Sequence, residues 1–389
     1  MRLGRRDFLR LSALGGSALA FGPGFWKDAY AAPAQAGPGP YGAISGSPDV
    51  NGLRLPAGFT SRIVARSGQP VGPTGYVWHP APDGGACFAR PEGGYVYVSN
   101  SEAISGGASA VRFDAGGRVL AAYRILAGTR LNCAGGPTPW GTWLSCEEHP
   151  TGWVWECNPA RPSQGVERPA LGAFPHEAVA VDPVGRRLYL TEDQPEGRLY
   201  RFTPSVWPRL SEGTLEAAKV SGDALAGEAR LSWVRCSPEK SVSRQPDVAA
   251  RTTVFEGGEG CWYDGGTVYF TTKGDNRVWA HTPATGRLEV IYAASLLPLA
   301  PLTGVDNVVV SRSGDLFVAE DGGTMDLCLI TPGPQRVVSP FLRLRGHPGS
   351  ELTGPAFSPD GRRLYFSSQR GTSNSINAGV TFEVSGPFR

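Results

Sequence analysis

A short apolar run, a turn that contains glycine and a second apolar run recur in that order along the chain. Clear copies cover residues 177–192, 259–272, 306–320 and 353–368, and looser ones lie at residues 133–147 and around residues 95–98. Two apolar runs joined by such a turn predict a β-hairpin. The second runs begin near residues 95, 142, 188, 268, 316 and 364, so they are 47, 46, 80, 48 and 48 residues apart. Apart from the long step, this spacing is typical of a β-propeller, whose blades hold four strands in about 40–50 residues.

The spacing therefore predicts an all-β fold, a β-propeller with five to seven blades, of which six fits best. We interpret a polar stretch around residues 205–255 as one insertion, with a helix-compatible piece at residues 211–220. Residues 198–202 and 277–281 fit third strands of two blades. A two-sheet sandwich is the alternative. A doubly wound α/β fold is disfavoured because helical periodicity is missing between the strands.

Composition supports many short strands and turns. The chain has 53 Gly and 34 Pro among 389 residues, and both residues destabilise helix interiors. Residues 1–31 carry five basic and two acidic side chains, so the remainder has 32 basic and 33 acidic residues and a net charge of −1. A nearly neutral chain without basic runs gives no support for binding nucleic acid.

The first residues have the pattern of an export signal. Residues 1–10 are basic, residues 11–21 are apolar and small, and Ala29-Tyr30-Ala31 fits a cleavage site. The apolar run is about half of the ~20 residues that a spanning helix needs, so we expect no stable membrane span. Arg5-Arg6, followed by Phe8-Leu9, resembles the twin-arginine signal, and an ordinary secretory signal is the alternative.

We accordingly predict a twin-arginine signal peptide at residues 1–31, a flexible leader at residues 32–50 and a single β-propeller domain at residues 51–389. The twin-arginine export machinery would carry the folded protein to the periplasm or outside the cell.

Polar residues recur at two fixed positions of the repeat. The start of the first strand holds Cys133, Glu177, Glu259, Asp306 and Thr353. The end of the second strand holds Glu147-Glu148, Glu192-Asp193, Lys273, Glu320-Asp321 and Gln369, with Asn100 and Glu102 in the earliest blade. Equivalent positions of a propeller form a ring, and carboxylates that face one another repel unless a cation lies between them. The pattern predicts a metal cluster on the axis, with calcium for the carboxylates and iron for a thiolate.

Other side chains leave more than one interpretation open. Lys273 is either a salt-bridge partner of the acids or a cation that binds phosphate. His176 either orients Glu177, binds substrate or is simply buried and hydrogen-bonded. Seven cysteines without C-x-x-C spacing argue against a structural zinc site, and Cys146 fits core packing or a disulfide with Cys157.

Residues 132–148, which read NCAGGPTPWGTWLSCEE, resemble the hallmark segment of the PhoX-type alkaline phosphatases. Residues 98–102, 174–177, 189–193, 258–260 and 320–322 agree with the same family. The resemblance implies an exported six-bladed propeller with a calcium and iron cluster on its axis. Such a protein would release phosphate from small phosphomonoesters, and we expect it to be a monomer. The chain is shorter than the larger enzymes of the family and has serine within residues 98–102 where they often have histidine.

The resemblance also implies roles for single residues. Cys133 would be an iron ligand, and Glu148, Glu177 and Glu259 would hold iron or calcium. Ring position adds the metal ligands Glu147, Glu192, Asp306 and Glu320. Asn100 and Thr138 would touch the phosphate, and Lys273 would stabilise the departing oxygen. A metal-bound oxygen would be the nucleophile, which agrees with the lack of a G-x-S-x-G motif.

Two alternatives to this function remain open. One is a calcium-dependent propeller that hydrolyses lactones or phosphotriesters, for which Cys133 would not matter. The other is a non-catalytic propeller that calcium stabilises and that binds a partner.

Overall fold

The computed structural model describes residues 32–162 and 165–389, so the predicted signal peptide at residues 1–31 lies outside the described residues. The chain is built of short strands. Three precede the first blade, namely β1 (Gln35–Ala36), β2 (Leu53–Arg54) and β3 (Thr60–Arg66). The one α-helix of the described part, α1 (Pro246–Ala249), has four residues. Single 3₁₀ turns lie at Gly72–Thr74, Pro169–Leu171, Val242–Arg244, Ala294–Leu296, Gly371–Ser373 and Ile376–Ala378.

Six antiparallel blades follow one another in chain order, each with its first strand innermost. Blade 1 holds β4 (Pro82–Ala89), β5 (Tyr95–Ser101), β6 (Gly107–Phe113) and β7 (Val119–Leu126). Blade 2 holds β8 (Asn132–Pro137), β9 (Trp143–Glu147), β10 (Val154–Cys157) and β11 (Val166–Glu167). Blade 3 holds β12 (His176–Asp182), β13 (Arg187–Glu192), β14 (Leu199–Val206) and β15 (Arg209–Ser221).

The second half repeats the arrangement. A bridging strand, β16 (Ala229–Arg235), pairs with both β15 and the outermost strand of blade 4. Blade 4 holds β17 (Gly258–Asp264), β18 (Thr267–Thr272), β19 (Arg277–Thr282) and β20 (Arg287–Ala293). Blade 5 holds β21 (Val305–Val310), β22 (Leu316–Glu320), β23 (Asp326–Ile330) and β24 (Val337–Leu344). Blade 6 holds β25 (Leu352–Phe357), β26 (Arg363–Ser368) and β27 (Val380–Ser385), and β3 is its outermost strand.

The innermost strands close into a ring around a central channel. Each of β4, β8, β12, β17, β21 and β25 lies against the next, and β25 lies against β4. Apolar clusters fill the spaces between blades, with Phe317 and Phe366 fully buried between blades 5 and 6. Fully burying such a side chain contributes about 1.5–3 kcal/mol. The core therefore lies between the blades, and the axis is left to the residues of the inner strands.

This architecture confirms the predicted β-propeller with six blades and excludes the two-sheet sandwich. The third strands predicted at residues 198–202 and 277–281 are β14 and β19. Within the described part of the chain, no helix has the length and apolar character that crossing a membrane requires.

Two local predictions need correction. Residues 211–220, predicted as helix-compatible, belong to β15, because Leu215 pairs with Phe202 and Glu216 forms an ion pair with Arg201 at 2.6 Å. The insertion proper therefore begins after β15. Part of the leader that was predicted to be flexible also packs on blade 5: β1 pairs with β24, and Ala34 is buried.

Candidate metal centre

The innermost strand of every blade carries a β-bulge near the same end of the channel. The pairing register shifts just after the first residue of β4, β8, β12, β17 and β21, and one residue later in β25. A bulge inserts an extra residue and re-aims the side chains around it. In blades 1 to 5 the first bulge residues are Asp83, Cys133, Glu177, Glu259 and Asp306.

These bulge residues converge on one cluster. Three groups of ligand atoms, each within 4.8 Å of one another, are formed by Asp83, Glu102 and Cys133, by Cys133, Glu148 and Glu177, and by Glu177, Glu259 and Asp306. Cys133 and Glu177 each belong to two groups, so the groups join into one arc across blades 1 to 5. We call these seven residues the axial cluster.

Small residues behind the ligands allow this convergence. The second bulge residues of blades 1 to 4 are Gly84, Ala134, Ala178 and Gly260. A Cβ atom on Gly84 would lie 2.4 Å from the Cα atom of Ala134, and one on Gly260 would lie 2.5 Å from the backbone nitrogen of Val308. At Gly84 and Gly260 the inner strands therefore approach too closely to leave room for a side chain.

The axial cluster concentrates acidic groups in a buried place. Burial, followed by the charges of Glu102 and Asp193, raises the pKa of Glu148 to about 9. Burial raises the pKa of Asp306 to about 7, with Lys273 opposing the increase and Asp321 and Asp193 adding to it. Burial, followed by the nearby carboxylates, also raises the pKa of Glu177 and Glu259 well above the usual range. The pKa of the Cys133 thiol is raised for the same two reasons. Like charges held this closely are stable together in ionised form when cations lie among them.

Lys273 lies at the mouth of the channel, where the second strands end. Its Nζ atom is 2.6 Å from Glu259 Oε1, 3.3 Å from Asp321 Oδ2 and 3.7 Å from Asp193 Oδ2. Burial lowers its pKa, but Glu259 and Asp306 outweigh burial and raise the pKa above the ordinary value. The predicted salt bridge is thus present, and it places a cation beside the axial cluster.

Three predicted metal ligands lie outside the axial cluster. The carboxylate of Glu147 accepts hydrogen bonds from the backbone N–H groups of Arg130 and Trp153. Glu320 accepts them from Thr303 and Asp326. Glu192 likewise accepts one from Arg198, together with one from the Tyr200 hydroxyl. The structure therefore places Glu147, Glu192 and Glu320 where they cap loops between strands and does not bring them into the axial cluster, so their role as ligands stays a prediction.

Asn100 does not face the channel. Its Nδ2 donates to the carbonyl oxygens of Cys133 at 3.2 Å and Ala134 at 2.7 Å, and its Oδ1 accepts from Trp143 Nε1 and Ser145 Oγ at 2.9 Å each. Every polar atom of the amide is thereby occupied. In this structure Asn100 fixes the backbone of Cys133, and the predicted phosphate contact gains no support from its position.

Thr138 and His176 also lie away from the axial cluster. The Thr138 hydroxyl is 2.8 Å from that of Thr142 in the turn after β8, at the end of the strand remote from Cys133. The structure therefore does not bring Thr138 to the axial cluster, and its phosphate contact stays a prediction without support from its position. His176 Nε2 lies 2.9 Å from the carbonyl oxygen of Gly172, so the buried, hydrogen-bonded interpretation holds. All seven cysteines, each in the described part, are free, which excludes a Cys146–Cys157 disulfide in this structure.

Two members of the axial cluster, Asp83 and Glu102, were not among the metal ligands predicted from the sequence. Asp83 precedes the second strand of blade 1 much as Glu177 precedes that of blade 3, and this spacing was the available signal. Gln369 from blade 6 donates to both carboxylates, at 2.6 Å to Asp83 Oδ2 and 2.5 Å to Glu102 Oε2.

Comparison with known proteins extends these observations. The family model described as alkaline phosphatase PhoX matches residues 89–151 and 149–371. The structure of Pseudomonas fluorescens PhoX in complex with vanadate, a transition state analogue, is similar with a TM-score of 0.69 and 16% identity, covering 91% of this chain and 98% of that one. A Bacteroides thetaiotaomicron protein of unknown function is similar with a TM-score of 0.52 and 10% identity, covering 84% and 76%. Curated proteins give no match. At these identities the solved structures support the fold.

Proposed function

The chain belongs to the PhoX family of alkaline phosphatases, and we propose that it is an exported, metal-dependent enzyme that hydrolyses phosphomonoesters at the axial cluster. The observation that carries the proposal is the arc of three ligand groups at the bulges of the inner strands. The family match and the similarity to a vanadate complex support a phosphatase. The export signal at residues 1–31, the single domain at residues 51–389, the monomeric state and a periplasmic or secreted location are parts of the same proposal.

The donor set fits calcium and iron. Glu177, Glu259 and Asp306 offer oxygen atoms alone, which suits calcium. Cys133 adds sulfur to the other two groups, which favours a transition metal such as iron. The fit rests on buried carboxylates whose mutual repulsion Lys273, Arg370 and hydrogen-bond donors only partly offset, since the pKa values of Glu177 and Glu259 stay well above the usual range.

Cations bound there would neutralise phosphoryl oxygens and lower the pKa of water. The residues of the chain would position the ligands and stabilise the departing oxygen. The bulges hold the ligands in place, and Asn100 fixes the backbone that carries Cys133. The Lys273 ammonium, anchored by Glu259 at the mouth, would stabilise negative charge on the departing oxygen.

The test measures metals and activity on the same preparation. We expect the purified folded protein to contain calcium and iron and to hydrolyse p-nitrophenyl phosphate. A chelator should remove the metals and the activity together, and adding the metals back should restore the activity. Glu177→Gln would abolish activity and metal binding, whereas Glu212→Gln, on the exposed outer strand β15, would change neither. Phosphatase activity that survives metal removal would overturn the proposal. Calcium without iron, together with lactone or phosphotriester hydrolysis, would favour the second enzyme class, and metal binding without turnover would favour a binding propeller.

A further inference from the structure

Arg370 follows the inner hairpin of blade 6 and has an unusually fixed side chain. Its Nε donates to the carbonyl oxygen of Gly349 at 2.9 Å, and its Nη1 donates to Glu351 Oε1 at 2.6 Å and to Gln369 Oε1 at 2.9 Å. Its Nη2 has a different environment: in the described part of the chain it makes no hydrogen bond, and Asp321 Oδ1 lies 3.9 Å away. The guanidinium is therefore anchored on one side and open on the other.

The contacts of Arg370 place this open side at the mouth of the axial cluster. Gln369, which accepts from Arg370, donates to Asp83 and Glu102 of the cluster. Asp321 lies between Arg370 and Lys273, with its second oxygen 3.3 Å from Lys273 Nζ. Two cations from blades 6 and 4 thus flank one carboxylate beside the proposed metal ligands.

We propose that Arg370 is a substrate-binding residue whose Nη2 edge, facing Lys273 across the mouth, binds the terminal oxygens of a phosphomonoester dianion. The inference rests on the proposed phosphatase function and names a residue that favours dianionic monoesters over monoanionic diesters. Guanidinium groups form strong charge-assisted hydrogen bonds to phosphate. Because three hydrogen bonds already hold this group, little side-chain freedom is lost when a phosphate binds.

The dianion matches the site in charge and in oxygen count. A monoester has three terminal oxygens, so some can face bound cations while another faces Arg370. A diester has only two terminal oxygens and one negative charge, and its second ester group would meet the half-buried ring of polar side chains at the mouth, where Lys273 is 34% exposed. Arg370 therefore contributes more to binding the monoester.

The experiment compares Arg370→Met and Arg370→Lys with Arg312→Met in the metal-loaded protein. Arg312 is exposed in the turn between β21 and β22, at the opposite end of the propeller, and is the matched control. The readouts are kcat and KM for p-nitrophenyl phosphate and bis-p-nitrophenyl phosphate, the Kd of inorganic phosphate by calorimetry, and metal content per chain.

We expect Arg370→Met to raise the monoester KM and the phosphate Kd by about 10- to 100-fold, the size of a lost charge-assisted hydrogen bond. Metal content would stay unchanged, diester turnover would change little, and Arg312→Met would match the parent protein. Arg370→Lys keeps the positive charge but lacks the planar guanidinium. Its KM and phosphate Kd should lie between those of Arg370→Met and the parent protein, which would show that the effect is not a failure to fold.

Two outcomes would overturn the inference. One is an unchanged KM and phosphate Kd in Arg370→Met, and the other is a loss of activity that a lower metal content of the variant explains in full. The latter would make Arg370 an anchor for Glu351 and Gln369 alone. Failure of the proposed function looks different, because the parent protein itself would then lack metal-dependent phosphatase activity.

Discussion

The side-chain amide of Asn307 in blade 5 donates a hydrogen bond of 3.3 Å to the carboxylate of Glu177 in blade 3. The same nitrogen lies 2.7 Å from Asp306 Oδ1, and the amide oxygen accepts from the backbone N–H of Gly354. Asn307 occupies the bulge position that holds glycine or alanine in blades 1 to 4. It therefore ties two ligands of the axial cluster to each other and to blade 6.

Asn307→Ala removes this donor while leaving every ligand in place. We expect the affinity of the Glu177–Glu259–Asp306 group for calcium to fall by about 10- to 100-fold, as for other residues that orient metal ligands. Competition with a chelator measures it, and Asn377→Ala, at an exposed position, is the control. An unchanged affinity would contradict this role.

Glu320→Gln separates loop caps from metal ligands. The replacement exchanges one acceptor oxygen for a donor, so the backbone N–H of Thr303 or Asp326 loses its partner. We expect the free energy of unfolding to drop by about 1–3 kcal/mol, measured with denaturant, while metals per chain stay the same. Loss of metal at full stability would return Glu320 to the ligand set.

Cys133→Ser tests the assignment of iron to the sulfur-containing groups. We expect iron to be lost and calcium at Glu177, Glu259 and Asp306 to be retained, because that group contains no sulfur. Elemental analysis measures both metals. Cys87→Ser, in the half-buried middle of β4, should keep both, and iron that persists in Cys133→Ser would contradict the assignment.

Buried histidines make the fold sensitive to mild acid. Burial lowers the pKa of His79 to about 3 and that of His281 to about 4. Between these values and the unfolded value near 6.5, the unfolded chain binds protons on these two histidines that the folded chain does not, so their contribution to stability falls as pH falls. Each histidine contributes about 1.4 kcal/mol per pH unit in that window.

His281→Gln should flatten this dependence. We expect the slope of unfolding free energy against pH between about 6 and 4.5 to decrease relative to the parent protein, by roughly the share of one histidine. Denaturant titrations at several pH values measure the slope. An identical slope in the variant would show that His281 does not titrate as its burial implies.

The repeat made the fold predictable because each hairpin carries the same pairing of apolar runs and turns. The same regularity located Cys133, Glu177, Glu259 and Asp306 correctly at the level of the bulges. Asp83 was not predicted as a metal ligand because residues 82–86 are rich in glycine and lack the apolar run that marks the other first strands.

The acid pairs show where a sequence pattern stops being informative. Neighbouring residues at the end of a strand point to opposite sides, so in Glu147-Glu148 one carboxylate caps a loop and the other joins the axial cluster. The order alone does not tell which is which. The roles assigned to Asn100 and Thr138 came from the resemblance, and the sequence does not show that their polar side-chain atoms form hydrogen bonds elsewhere in the fold.

The pairing of β3 with β27 closes the ring by joining an early segment of the chain to its last blade. Without this seam blade 6 lacks its outer strand, and it is blade 6 that carries Gln369, the donor to Asp83 and Glu102 of blade 1. An incompletely closed ring would thus lack the full arrangement of the axial cluster and would bind a metal ion weakly. Binding of the proposed ions would therefore depend on joining early and late parts of the chain.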